Sequence, residues 1–96
     1  MDKIRNQSID NLMKVIAKMD SAEDCYAFFS DLCTIKELQD MGQRFEAALM
    51  LANGAKYQEI AASVKTSSAT ISHVSRCLYY GNGGYEKAIK LFREEK

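Results

Sequence analysis

A chain of 96 residues, 47 % hydrophobic and 27 % charged, has the balance of a globular protein, and its length leaves room for one domain, expected to span residues 1–96. No apolar run approaches the ~20 residues a membrane helix requires, and Met1-Asp2-Lys3-Ile4-Arg5 lacks the apolar core of a secretory signal, so the cytoplasm is the expected compartment and no membrane partner is implied. The three cysteines Cys25, Cys33 and Cys77 form an odd set with no C-x-x-C pair, which points to reduced, mostly buried thiols and away from a disulfide framework or a zinc ribbon.

Proline is absent and apolar residues recur at helical spacing throughout, which predicts an all-α fold. The first helix is expected over about Asp2 to Met19, with Ile9, Leu12, Met13, Ile16 and Met19 on one stripe that needs a covering surface. Asp20-Ser21-Ala22-Glu23 has capping-box spacing, with Asp20 as the acceptor, and opens a second helix from Ser21 to Leu32 that buries Cys25, Phe28, Phe29 and Leu32. Thr34-Ile35-Lys36-Glu37 repeats the signal and starts the longest helix. Ile35, Leu38, Phe45, Ala48, Leu49 and Ala52 keep its period up to the stop at Asn53-Gly54. Gly42, inside that helix, costs about 1 kcal/mol against alanine and predicts close helix packing.

Two short helices follow, Tyr57 to Val64 and Ser68 to Tyr79, and the run Gly81-Asn82-Gly83-Gly84 separates them from a last helix, Tyr85 to about Glu94, with Ala88, Ile89 and Phe92 inward. Ile60, Val64, Ile71 and Val74 are spaced so that the two short helices share one small core, with Ala61 allowing them to cross closely. That is the pattern of a helix-turn-helix over about Tyr57 to Leu78. Lys65-Thr66-Ser67-Ser68 supplies the turn, and Ser67 or Ser68 caps the second helix. Lys65 stands where such units often carry glycine in a left-handed conformation, which costs other residues roughly 1 to 2 kcal/mol.

In such a unit the second helix enters the major groove. Its early residues Ser67, Ser68, Ala69, Thr70 and Ser72 are short and uncharged and face the bases, while Lys56, Gln58, Lys65 and Arg76 face phosphates. No Arg, Asn or Gln stands at the leading positions, so bidentate base contacts are missing and shape and water-mediated readout must contribute. Zero net charge argues against a nucleic-acid partner, but its distribution answers that: residues 1–55 hold six Lys or Arg against nine Asp or Glu, whereas residues 56–96 hold seven against four.

Several of these segments resemble the Trp repressor superfamily: Gln43-Arg44 in the long helix that Thr34 opens, Leu51-Ala52-Asn53-Gly54, Tyr57-Gln58-Glu59-Ile60 and Ala69-Thr70-Ile71-Ser72. Ser75-Arg76-Cys77-Leu78-Tyr79-Tyr80-Gly81-Asn82 resembles most the related bacterial family labelled YerC/YecD. The likeness covers nearly the whole chain, most specifically residues 34–83. It implies an intertwined helical homodimer that binds a palindromic operator in double-stranded DNA and regulates transcription, as a repressor by analogy. It also implies a degenerate corepressor pocket. Arg44 matches one of the two arginines that hold tryptophan in the Trp repressor, but His73 replaces the other, and Val74 replaces the glycine that admits the indole. No tryptophan response and no cofactor are expected.

An enzyme is not expected, since the chain has one histidine, no glycine-rich phosphate loop and no Ser-His-acid spacing. His73 and Cys77, four apart on a helix, are too few ligands for a zinc site, so no metal is expected. The competing reading is a helical protein-interaction module that kept this fold and lost DNA binding.

Overall fold

The computed structural model describes the backbone from Asp2 to Glu94 and the side chains from Lys3 to Glu94. A 3-10 turn at Asp2–Ile4 precedes six α-helices, α1 (Gln7–Lys18), α2 (Ala22–Leu32), α3 (Ile35–Ala52), α4 (Tyr57–Val64), α5 (Ser68–Tyr80) and α6 (Gly84–Glu94), and no strand occurs among the described residues. The chain divides into two compact units, one reaching Leu38 and the other starting at Gln39, with the boundary inside α3.

Each helix of the first unit begins where a short polar side chain takes a backbone N–H that the helix cannot satisfy itself. The first regular helix starts at Gln7 and not near Asp2, because Asn6 is extended and its Oδ1 accepts from the Ile9 N–H at 2.8 Å. At α2 the acceptor is Ser21 and not Asp20: its Oγ takes the Asp24 N–H at 3.1 Å. The capping box at α3 is formed as the sequence suggests, with the Glu37 N–H donating to Thr34 Oγ1 at 3.1 Å and the Thr34 N–H to Glu37 Oε1 at 2.8 Å. No residue of α1 or α2 is buried. Cys25, Phe28 and Phe29 are only half-covered, and Leu32 is exposed, contrary to the burial expected for α2. Phe28 and Phe29 meet edge to face at 5.8 Å.

The buried core lies wholly in the second unit. Ala47, Ala48 and Leu51 of α3, Ile60 and Val64 of α4, Ile71, Val74 and Leu78 of α5, and Ile89 of α6 form one cluster. Ile60, Ile71 and Val74 are fully enclosed, each stabilising the fold by about 1.5–3 kcal/mol relative to exposure. Close approach at α3 is provided by the enclosed Ala47 and Ala48; Gly42 has nothing within 4 Å of where a Cβ would stand, so it serves no close contact within the chain. Ala61 is likewise exposed, and Ile60 and Val64 carry the α4 side of the crossing with α5.

Helix α3 stops at Asn53-Gly54 because Gly54 takes a left-handed φ of 86°, letting its N–H reach Leu51 O and the Ala55 N–H reach Met50 O, each at 3.0 Å. Helix α6 packs on α5. Phe92 stays partly exposed yet meets Phe45 edge to face at 6.0 Å, and Arg93 Nη2 donates to Asn53 Oδ1 at 3.0 Å. Among the described residues no helix is long and apolar enough to cross a membrane.

Candidate nucleic-acid interface

Helices α4 and α5 pack on each other through Ile60, Val64, Ile71 and Val74, the four positions whose spacing predicted a shared core. The turn between them depends on Lys65, whose φ of 55° and ψ of 49° make it the one non-glycine residue in left-handed conformation among the described residues. A left-handed residue reverses the chain within one step, which lets α5 start only four positions after α4 ends. Helix α4 is secured at its start by Glu59, whose Oε1 accepts from the Lys56 N–H at 2.8 Å.

Ser67 caps α5. It is extended, its Oγ accepts from the Thr70 N–H at 3.1 Å, and the same hydroxyl donates to Thr70 Oγ1 at 2.9 Å. Of the candidate base-facing residues, Ser67, Ser68, Ala69 and Ser72 are exposed and Thr70 is half-buried. They gather on the first turn and a half of α5. Ser67 spends its hydroxyl inside the cap, whereas Thr70 keeps a hydroxyl hydrogen to donate outward. The candidate phosphate-facing residues Lys56, Gln58, Lys65 and Arg76 are all exposed, at the start of α4, in the turn and midway along α5.

The three residues of the degenerate pocket differ in exposure. Val74 is fully enclosed in the core, His73 of the same helix faces outward, and Arg44 of α3 is half-buried.

Sequence reasoning did not anticipate the surroundings of Cys77. Its Sγ lies 3.6 Å from His73 Nε2, and it borders a hollow lined also by Phe45, Tyr85 and Ala88. The i, i+4 spacing of the two residues was visible, but the hollow needs α3 and α6 placed against α5. Burial pushes the Tyr85 phenol above its ordinary pKa; the positive Arg44 opposes that shift and Cys77 adds to it. Among the described residues no three His, Cys, Asp or Glu side chains cluster as a metal site.

The model of the family described as "Trp repressor protein" matches residues 7–92. This chain belongs to the Trp repressor family. Its relatives within or near that family include the uncharacterized protein YerC of Bacillus subtilis (strain 168), 46 % identical over 94 residues, covering 98 % of this chain and 90 % of that protein. Among solved structures, a protein of Staphylococcus aureus proposed to be a Trp repressor superposes with a TM-score of 0.90 at 37 % identity, over 96 % of this chain and 92 % of that one. A TrpR-like protein from Eubacterium eligens ATCC 27750 gives 0.89 at 38 % identity, over 96 % and 95 %. The all-α Trp-repressor-like fold inferred from the sequence is therefore the fold of this chain, and the Trp repressor family consists of regulators, not enzymes.

Proposed function

We propose that this protein is a sequence-specific DNA-binding transcriptional regulator, of repressor type, that acts as a homodimer on a palindromic operator and does not respond to tryptophan. The observation that carries the reading is the α4–turn–α5 unit: Ile60, Val64, Ile71 and Val74 buried behind, a left-handed turn at Lys65, and short polar side chains at the exposed start of α5. Ser68, Ala69, Thr70 and Ser72 face base edges, with Ser67 holding the helix end in place. Lys56, Gln58, Lys65 and Arg76 contact phosphates.

Dimerisation is supported by the first unit. Met13 is 55 % exposed, Tyr26 72 % and Ile35 77 %, an apolar surface that a second copy would cover, so that residues 1–96 work as one domain in the dimer. Insensitivity to tryptophan is supported by the enclosure of Val74. The cytoplasm is the compartment in which such a regulator meets its operator.

The test is selection of bound duplexes from a random library, followed by affinity measurements across salt concentrations with wild type and Ser68→Glu. An enriched palindrome with half-sites about 34–36 Å apart is expected. If three cations of each subunit meet phosphate, the slope of log K against log salt is about −5. The new carboxylate of Ser68→Glu abolishes binding, and added L-tryptophan changes nothing. No enrichment together with salt-independent behaviour would reject DNA binding and leave a helical interaction module.

A further inference from the structure

A helix entering the major groove meets hydrogen-bond donors, hydrogen-bond acceptors and one apolar feature, the C5-methyl group of thymine. The polar side chains at the start of α5 distinguish the first two poorly. Ser67 has both roles of its hydroxyl engaged, accepting the Thr70 N–H at 3.1 Å and donating to Thr70 Oγ1 at 2.9 Å. Thr70 is left with one hydroxyl hydrogen, and every base pair offers an acceptor for it, the purine N7 at least. Ser68 and Ser72 are exposed, and each hydroxyl both donates and accepts, so either suits any base edge. Lys, Asn and Gln are absent from α5, and its one arginine, Arg76, stands beyond the first two turns.

Ala69 differs from all of these. It is exposed, and it shares a face of α5 with Ser72 and Arg76, which follow at three- and four-residue steps. It also lies between the two ends of the Ser67–Thr70 clasp, so its backbone is held in place before any duplex arrives. Its side chain is a single methyl group with no rotamer freedom to lose on contact. Set against an amino group or a carbonyl oxygen, that methyl displaces water and offers no hydrogen bond in return, which costs free energy. Set against another methyl group, it removes apolar surface from water on both sides. Of the side chains on the leading turn, Ala69 is the one that discriminates in a single sense.

We propose, resting on the DNA reading above, that Ala69 is the specificity-determining residue of α5 and that its counterpart in each half-site is the C5-methyl group of a pyrimidine, carried by thymine or by 5-methylcytosine. The contact is Cβ against methyl carbon, with no hydrogen bond. Ser68 and Ser72 nearby take whatever donor or acceptor the neighbouring edges present, which lets the same methyl be read on either pyrimidine. The operator is thereby recognised at this position by a group whose removal leaves base pairing unchanged.

Duplexes are first selected from a random library with the purified full chain. In the enriched sequence each thymine of one half-site is then replaced singly by uracil, which removes the methyl group and keeps every hydrogen-bonding atom. Affinities of wild type and Ala69→Gly are measured at one salt concentration, and the thymine-to-uracil ratio within each protein cancels any change in folding or in overall affinity. At one thymine, uracil is expected to weaken wild type about fourfold, the equivalent of one buried methyl group, and to leave Ala69→Gly unchanged. Cytosine and 5-methylcytosine at that position form the second arm. A gain on methylation of similar size, seen in wild type and not in Ala69→Gly, assigns the methyl of either base, and no gain in either protein confines the counterpart to thymine. A bound duplex in which no uracil replacement affects wild type more than Ala69→Gly would overturn the proposal and leave the DNA reading standing. No enriched sequence would overturn both.

Discussion

Replacing Lys65 with glycine separates the two demands made on one residue, because it should strengthen the fold and weaken the grip on DNA. At φ 55° and ψ 49° the lysine sits where a Cβ costs roughly 1–2 kcal/mol, and glycine removes that cost. Glycine also enlarges the freedom of the unfolded chain, which offsets about 0.4–1 kcal/mol of the gain. The net is a stabilisation of about 0.5–1 kcal/mol, or a rise in Tm of roughly 3–6 °C for a chain of this size, read by thermal melts at matched protein concentration. On DNA, the loss of one cation per subunit should flatten the salt slope by about 1.8. Lys65→Ala is the control, since it removes the same charge and keeps the Cβ: the same flatter slope with no gain in Tm. A Lys65→Gly variant that melts below wild type would refute the account of the turn, and an unchanged slope would refute the phosphate role of Lys65.

Three further outcomes follow from the same geometry. Ser67→Ala removes the acceptor for the Thr70 N–H and should cost about 1 kcal/mol in chemical denaturation, whereas Ser68→Ala should cost much less. Gly81→Ala forces a methyl against the Cys77 carbonyl and should destabilise by about 1–3 kcal/mol, the cost of overpacking, with circular dichroism melts as the measure. The raised pKa of Tyr85 means that its stabilisation is complete below the unfolded-state value of 10.0 and is lost as pH climbs through the higher folded value. Denaturation midpoints of Tyr85→Phe should therefore fall less than those of wild type above about pH 10, and parallel curves would contradict burial as the cause.

The helices could be read from the sequence because their signals are local. Thr34 and Glu37 three residues apart, Asn53-Gly54 at a helix end, and Ile60, Val64, Ile71 and Val74 at helical spacing each depend on neighbours within one or two turns. The errors came where two adjacent residues offer the same chemistry or where partners lie far apart in the chain. Asp20 and Ser21 can both cap a helix, and only the backbone decides that Ser21 does. Gly42 suggests a close contact that Ala47 and Ala48 make instead, because the rotation of α3 about its axis follows from what packs on it, and the crossing suggested for Ala61 is carried by Ile60 and Val64. The burial assigned to Phe28, Phe29 and Leu32 presumed a covering surface that a periodic stripe can request but not supply. For the site, the left-handed turn and the cap on α5 were legible, while the Cys77 hollow was not, since Phe45 and Ala88 stand more than forty residues apart.

The contribution of α6 bears on when this protein becomes competent during its synthesis. Residues 57–80 hold both short helices, yet the cluster behind them is closed by Ile89, and the end of α3 is tied to Arg93. A nascent chain that has released only α3, α4 and α5 from the ribosome therefore carries an open, apolar seam along α5. The unit seals only after α6 emerges, so premature termination between Gly81 and Ile89 should yield a chain that chaperones and proteases see as unfinished, although every residue of the turn and its two helices has been made.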